Sequence, residues 1–254
     1  MNNRNSKDEQ VCSPGPVSQL TPKELADWHS GSRAATKRYC YWFRNIESPQ
    51  INDELQAIFI HIPKTGGTSI RKVLSAAMGQ NHRRYPRFQK HAPARLLRSV
   101  VGDSRYNRYT SFCVVRNPWD LMVSSYHWWI QLAGRHKKLE LWAEHFRGLG
   151  SFDAWIRDPK VLEMVNEFRA GDLSDWTDDN AGTCIVHRIL RFENLGKDWV
   201  ALCDEEGWAL PQLPVTNASK RSDFRGYYTP ETAQWVATKF QTTIDRYGYD
   251  FDTP

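Results

Sequence analysis

Cysteine is scarce in this chain and follows no pattern. Cys12, Cys40, Cys113, Cys184 and Cys203 are odd in number, scattered and without a CxxC pair, so a zinc site is not indicated and a disulfide framework has no support. Cys113 and Cys184 fall in apolar runs and are expected to be buried thiols. Long hydrophobic runs are missing as well. No stretch approaches the about 18 apolar residues of a membrane-spanning helix, and the N-terminus MNNRNSKDEQ lacks the apolar segment of a signal peptide. No internal repeat is evident. No GxxxxGK[ST] occurs anywhere in the 254 residues, which argues against the ordinary ATPase loop. No carboxylate cluster is arranged for magnesium. Neither sign of charge dominates: a net charge of +5 suits a polyanionic ligand and is not a nucleic-acid footprint.

What is present suffices for one substantial core. At 254 residues and 40% hydrophobic, the simplest count is a single α/β domain. Residues 1–20 read as a disordered tail and residues 21–254 as the domain. The segment with Trp28, Tyr39, Tyr41, Trp42 and Phe43 is expected to pack against it.

The most informative stretch runs from Ile58 to Ser69, IFIHIPKTGGTS. Its apolar, β-branched start reads as a buried central strand of a parallel sheet. Ile70, Val73, Leu74 and Met78 then repeat at helical spacing. Between them lie Pro63, Lys64, Thr65, Gly66, Gly67, Thr68 and Ser69. Glycines let backbone approach an anion closely, and the first free N–H groups of a helix point at it. Here the lysine precedes the glycines, the reverse of the Walker order.

A second strand-to-helix turn follows in SFCVVRNPWDLMVSSY, residues 111–126. Asn117 suits the N-cap, Pro118 the first helical position, and Asp120 the place of a capping-box acid. Arg116 at the strand end and Ser124 two turns on are spaced to flank one phosphate. Ser125 would point about 100° away around the helix. Further along, RFENL (residues 191–195) follows the apolar run from Cys184 to Leu190, and NASKR (residues 217–221) leads to a helix announced by Thr229 and Pro230 and stopped by Gly248. Val236, Phe240, Ile244 and Tyr247 give that helix its core face.

Together HIPKTGGTS, VRNPWDLMVSSY, RFENL, the N-x-S-x-R loop and GYDF resemble the sulfotransferases that use PAPS, 3′-phosphoadenosine 5′-phosphosulfate, over about residues 56–251. The loop is most similar to their carbohydrate-type branch. The resemblance implies a P-loop-like, three-layer α/β/α fold with a central, mainly parallel sheet. It implies PAPS as donor, PAP as product and no metal ion. It also places the 5′-phosphosulfate on residues 63–69 and the 3′-phosphate on Arg116, Ser124, Lys220 and Arg221. Many relatives in that branch are membrane-anchored; without an anchor in the sequence, a soluble cytoplasmic enzyme is the expectation, with no nucleic-acid partner.

Sulfuryl transfer to a hydroxyl needs charge stabilisation at the leaving phosphate and a base for the acceptor proton. Lys64 is placed for the first role. For the second, His61, His82, His91, His127 and His187 are the histidines to weigh. His91, just past a short strand over Tyr85–Gln89, is the leading candidate, with a carboxylate as the competitor. His61 reads as a packed strand residue, while His127, three residues after Ser124, is able to face the cleft. Trp119, Trp128, Trp129 and Tyr126 are expected to line or underpin that cleft. The acceptor reads as a small hydroxylated metabolite or a carbohydrate, with an acidic glycan as the alternative and a non-catalytic PAP- or PAPS-binding module as the rival of another class. Arg83, Arg84, Arg87 and Lys90 serve equally as a grip for an anionic acceptor or as a solubilising edge. Asp172, Asp175, Asp178 and Asp179 form an acidic loop.

Overall fold

A computed structural model describes residues 45–79, 82–86, 88, 90–135, 139–167, 171–214 and 221–252. The expected tail and the aromatic segment near residues 28–43 lie outside them, as do Arg87 and Lys220.

The first strands are β1 (Asn45–Ile46), β2 (Ile51–Asn52) and β3 (Ala57–Ile60). Helix α1 (Gly67–Ala76) and strand β4 (Tyr85–Pro86) follow. Two short helices, α2 (Ala94–Val101) and α3 (Asp103–Tyr106), lead to β5 (Thr110–Val115). The next helices are α4 (Pro118–Leu132), α5 (Glu140–Gly148), α6 (Phe152–Arg157), α7 (Pro159–Glu167) and α8 (Ser174–Thr177). Strand β6 (Arg188–Arg191) precedes α9 (Leu195–Glu206), and the described chain closes with α10 (Pro230–Lys239) and α11 (Gln241–Tyr247).

The main sheet has the order β2-β3-β5-β6. β3, β5 and β6 run parallel, and β2 is an antiparallel edge. Side-chain alternation along the two central strands divides the core. Ile58, Ile60, Cys113 and Val115 face one apolar cluster, which also takes Leu97 of α2 and Met122 of α4. Ala57, Phe59, Phe112 and Val114 face a second cluster, built from Ile70 and Leu74 of α1 and Trp199 and Leu202 of α9. Helices thus cover both faces, and the expected three-layer α/β/α architecture is what the chain forms. This double coverage explains why the strands read as continuous apolar runs. Phe59 and Phe112 stack at 5.1 Å between ring centroids; truncating either to alanine would cost about 3–5 kcal/mol.

The structure differs from the sequence reading in four local respects. Of the strand expected over Tyr85–Gln89, the described part is Tyr85–Pro86, which pairs with β1 in a separate two-stranded sheet and not with the main one; Arg87 and Gln89 lie outside the described residues. The helix expected to run unbroken from Pro230 to Gly248 is two helices, parted at Phe240, whose backbone (φ −117°, ψ 27°) leaves the helical region. Phe240 turns inward, 1% exposed, and this packing overrides the helical periodicity. Cys184 is half-buried and precedes β6, whereas Cys113 is fully buried. Asp120 does not close a capping box; it binds arginines, as described below. Thr229 does cap α10, in a reciprocal box with Thr232.

The acidic loop is structural. Asp172 accepts from the Thr242 N–H and the Thr243 hydroxyl, Asp178 pairs with Arg246, and Asp179 accepts the N–H groups of Ala181 and Thr183.

Candidate active site

The carboxyl ends of β3, β5 and β6 deliver three segments to one edge of the sheet, where open α/β sheets place their ligands. Beyond β3, His61 is buried and stacks on Phe59 at 5.3 Å. The chain then folds back through Pro63 to Gly66. The Thr65 hydroxyl donates to the Ile62 carbonyl at 3.0 Å, and the Ser69 N–H to the Gly66 carbonyl at 3.1 Å. Two residues adopt left-handed backbone, Lys64 at φ 63° and Gly66 at φ 81°. Gly67 is required for a different reason. A Cβ there would lie 2.3 Å from His61 Cδ2, so only glycine lets α1 start against the imidazole. No side chain caps α1, which leaves the N–H groups of Gly67 and Thr68 at its start to face an anion.

β5 supplies the second segment. The Asn117 side chain caps α4 by accepting from the Trp119 and Asp120 N–H groups. This fixes Arg116 at the turn, 8% exposed. The Arg116 Nη1 donates to the Lys64 carbonyl at 2.6 Å, and its Nε donates to Asp120 Oδ2 at 2.7 Å. Its guanidinium lies 3.8 Å above the Phe192 ring, just after β6. Arg221 reaches the other oxygen of Asp120, so one carboxylate joins two arginines. Ser124 is buried on α4, while Ser125 turns back to the Leu121 carbonyl at 3.0 Å.

The third segment is a brace. Glu193 accepts from the Asn117 N–H at 2.7 Å and from the Tyr249 hydroxyl at 3.0 Å, tying the ends of β5 and β6 to the C-terminal segment. Burial and the Glu193 charge push the Tyr249 hydroxyl pKa up.

Arg116 and Arg221 thus share the Asp120 carboxylate, and the Lys64 ammonium stands close enough to both arginines to be repelled by them. Burial, reinforced by Arg116, Arg221 and Lys90, holds the Lys64 ammonium down to about 8. Its Nζ stands 5.7 Å from the centroid of Trp128. An anion of more than one charge would relieve this repulsion. Among the described residues, no group of three His, Cys, Asp or Glu is arranged to hold a metal ion, and no helix is long and apolar enough to cross a membrane.

Residues 50–250 match the family model described as the sulfotransferase family. The chain belongs to the sulfotransferase family. No curated protein sequence and no solved structure matches it.

Histidines stand near the loop of this sulfotransferase. His91 Nδ1 lies 2.7 Å from the His61 carbonyl oxygen. A carbonyl only accepts, so Nδ1 carries the hydrogen and Nε2 keeps its lone pair. The two rings meet edge to face at 4.6 Å. Burial is the main reason the His91 pKa falls to about 4, with Lys90 and Arg71 adding to it against the His61 hydrogen bond; His61 falls to about 2 for the same leading reason, with His91, Lys90 and Arg71 as neighbours. His127 is engaged elsewhere, with Nε2 2.9 Å from the Tyr227 hydroxyl.

The loop, Arg116 and Arg221 are therefore joined at one edge, with His91 reached through His61, while Ser124 lies buried two turns along α4. Thr68 is exposed and Ser69 buried. Among the aromatics, Trp119, Tyr126 and Trp129 are buried and Trp128 is exposed at 37%. Sequence reasoning assigned no role to Phe192 or Glu193 and read the bridging Asp120 as a capping acid. Their only signal was position, immediately after a strand in RFENL or one turn beyond Arg116.

Proposed function

We propose that the sulfuryl donor is PAPS and that the acceptor offers a hydroxyl on a carbohydrate or a small hydroxylated metabolite. The observation that carries this reading is the pairing of two anion sites through the Arg116 contact to the Lys64 carbonyl. A ligand with phosphate at both its 5′ and 3′ ends suits such a pair, whereas a nucleoside triphosphate suits only the first. The residues fit the donor: three neighbouring cations in Lys64, Arg116 and Arg221, uncapped helix N–H groups, and a glycine loop that admits close approach.

In this reading the loop residues 63–69 hold the 5′ end, and Arg116, Ser124 and Arg221, with Lys220, hold the 3′-phosphate. PAPS supplies the activated sulfuryl group. The acceptor oxygen bonds to sulfur as the bond from sulfur to the phosphate oxygen breaks, and that electron pair leaves on the phosphate. Lys64 neutralises the charge developing there, and the N–H groups of α1 share it. Nε2 of His91 takes the acceptor proton. Burial keeps it neutral in the free protein, and the negative charge that the donor brings raises its basicity toward what proton transfer needs.

A transfer assay with labelled PAPS and a mixed library of sugars and small alcohols tests the proposal. Labelled product is expected, with Lys64→Ala losing turnover far more than PAP affinity. Tight PAP binding without transfer to any acceptor would favour the binding-module reading, and His91→Ala with unchanged turnover would remove His91 as the base.

A further inference from the structure

Lys64 has a partner at each end. Its carbonyl accepts from Arg116 at 2.6 Å, and its Nζ stands over the ring of Trp128, 5.7 Å from the centroid. That is inside the about 6 Å at which an aromatic face attracts a cation. Among the described residues the ammonium makes no hydrogen bond and no ion pair. Both oxygens of Asp120 are taken by Arg116 and Arg221. The charged groups that face Lys64 are themselves cations: Arg116, Arg221 and Lys90. Among the described residues, the indole of Trp128 is thus the group that favours the charged ammonium.

The ring is aimed by its helix and steadied by the core. Trp128 lies one turn beyond Ser124, on the same face of α4. Its edge meets Trp129 at 4.9 Å between centroids and 72° between planes, and Trp129 is buried against Phe146. Trp128 itself is exposed, so the core does not depend on it. An indole also suits this place chemically. A carboxylate would hold the ammonium more strongly, but its charge would repel an anionic donor. A ring face attracts the cation and adds no net negative charge.

We propose that Trp128 is a positioning residue: its indole face seats the Lys64 ammonium where the leaving phosphate of the donor arrives, fixing the free end of a side chain whose backbone Arg116 already holds. The role in turnover rests on the donor reading above; the seat itself does not. A long lysine side chain then surrenders its freedom during folding and not when the donor binds.

Competitive acetylation of the full chain with acetic anhydride across pH, read by mass spectrometry on the peptide that carries Lys64, reports where this ammonium loses its proton. Trifluorotryptophan at position 128 keeps the shape of the indole and draws electron density from its face. It is expected to lower the Lys64 midpoint by about half a pH unit, the worth of one exposed contact of this kind. Trp128→Tyr, which keeps a ring face, should lower it less. PAP affinity, measured by calorimetry on the trifluorotryptophan protein, should fall about twofold to threefold at pH 8.5 and barely change at pH 6.5, because the seat persists in the complex. A midpoint unmoved by trifluorotryptophan overturns the proposal, even where acceptor affinity changes, since Trp128 would then only line the cleft. Tighter PAP binding at pH 6.5 overturns the positioning role, because it shows a resting place that the ligand empties. PAP that fails to bind, or binds without slowing acetylation of Lys64, overturns the donor reading and the role in turnover with it, while the midpoint still decides whether the seat exists.

Discussion

The Arg116 guanidinium donates to the carbonyl oxygen of Lys64 at 2.6 Å, across a sequence separation of 52 residues. The same side chain holds Asp120 and lies on Phe192. One residue therefore ties the proposed 3′ site to the backbone of the proposed 5′ loop. Arg116→Lys keeps the charge but loses the fork. It is expected to weaken PAP by about tenfold to a hundredfold, given about 1.5–3 kcal/mol for a charge-assisted contact, and to lower turnover through Lys64. Calorimetry with PAP and steady-state kinetics on the variant check both effects; PAP affinity within threefold of wild type would refute the coupling.

Gly67→Ala should disable the loop. The added Cβ meets the His61 ring at 2.3 Å, and a buried ring cannot move away cheaply, so a loss of about 1–3 kcal/mol is expected. Chemical denaturation measures it. Combining Gly67→Ala with His61→Ala should recover part of that stability, because the clash is with the imidazole itself.

The lysine of the loop gives a proton-uptake prediction. Lys64 is held down to about 8, so at pH 8.5 much of it is neutral in the free protein. A bound polyanion restores its charged form. PAP binding at pH 8.5 should therefore take up a proton, less so at pH 6.5, and Lys64→Met should abolish the uptake. Calorimetry in buffers of different ionisation enthalpy reads it directly.

Acid should loosen the fold through the buried histidines. His91 falls to about 4 and His61 to about 2, both from an ordinary 6.5. Below pH 6.5 the unfolded chain binds protons that the folded chain refuses, so stability rises with pH through this window and is lost as pH falls. For His91 the span from about 4 to 6.5 corresponds to roughly 3 kcal/mol, as an upper figure. Urea unfolding at pH 5, 6 and 7 should show the slope, and His91→Gln should flatten it.

Glu193→Gln should act on architecture before chemistry. The carboxylate accepts from the Asn117 N–H and the Tyr249 hydroxyl, and an amide keeps only part of that capacity. Stability should fall by about 1–3 kcal/mol, with PAP affinity reduced because Asn117 carries the turn that presents Arg116. A variant as stable as wild type would show that the brace contributes little.

Much of this site was legible because its elements announce themselves locally. Buried strands show as apolar runs, Pro63 to Ser69 as a glycine turn into a helix, and Asn117-Pro118 as a helix start. What escaped depends on partners distant in sequence. Asp120 sits where a capping acid belongs, yet two arginines claim it, one of them 101 residues away. Glu193 looks like an ordinary charge until Tyr249, 56 residues on, is brought to it. Phe240 fits a helical stripe, and only the packing of two helices reveals the break there. Gly67 reads as a phosphate-loop glycine, but the demand for it also comes from His61.

The backbone of Lys64 carries a last consequence. A lysine at φ 63° is held about 1 kcal/mol or more above its relaxed conformation. The Arg116 bond to its carbonyl maintains that shape before any ligand arrives. The conformational work of shaping the loop is completed during folding, so the donor meets a finished cradle, and its binding energy remains for the transition state.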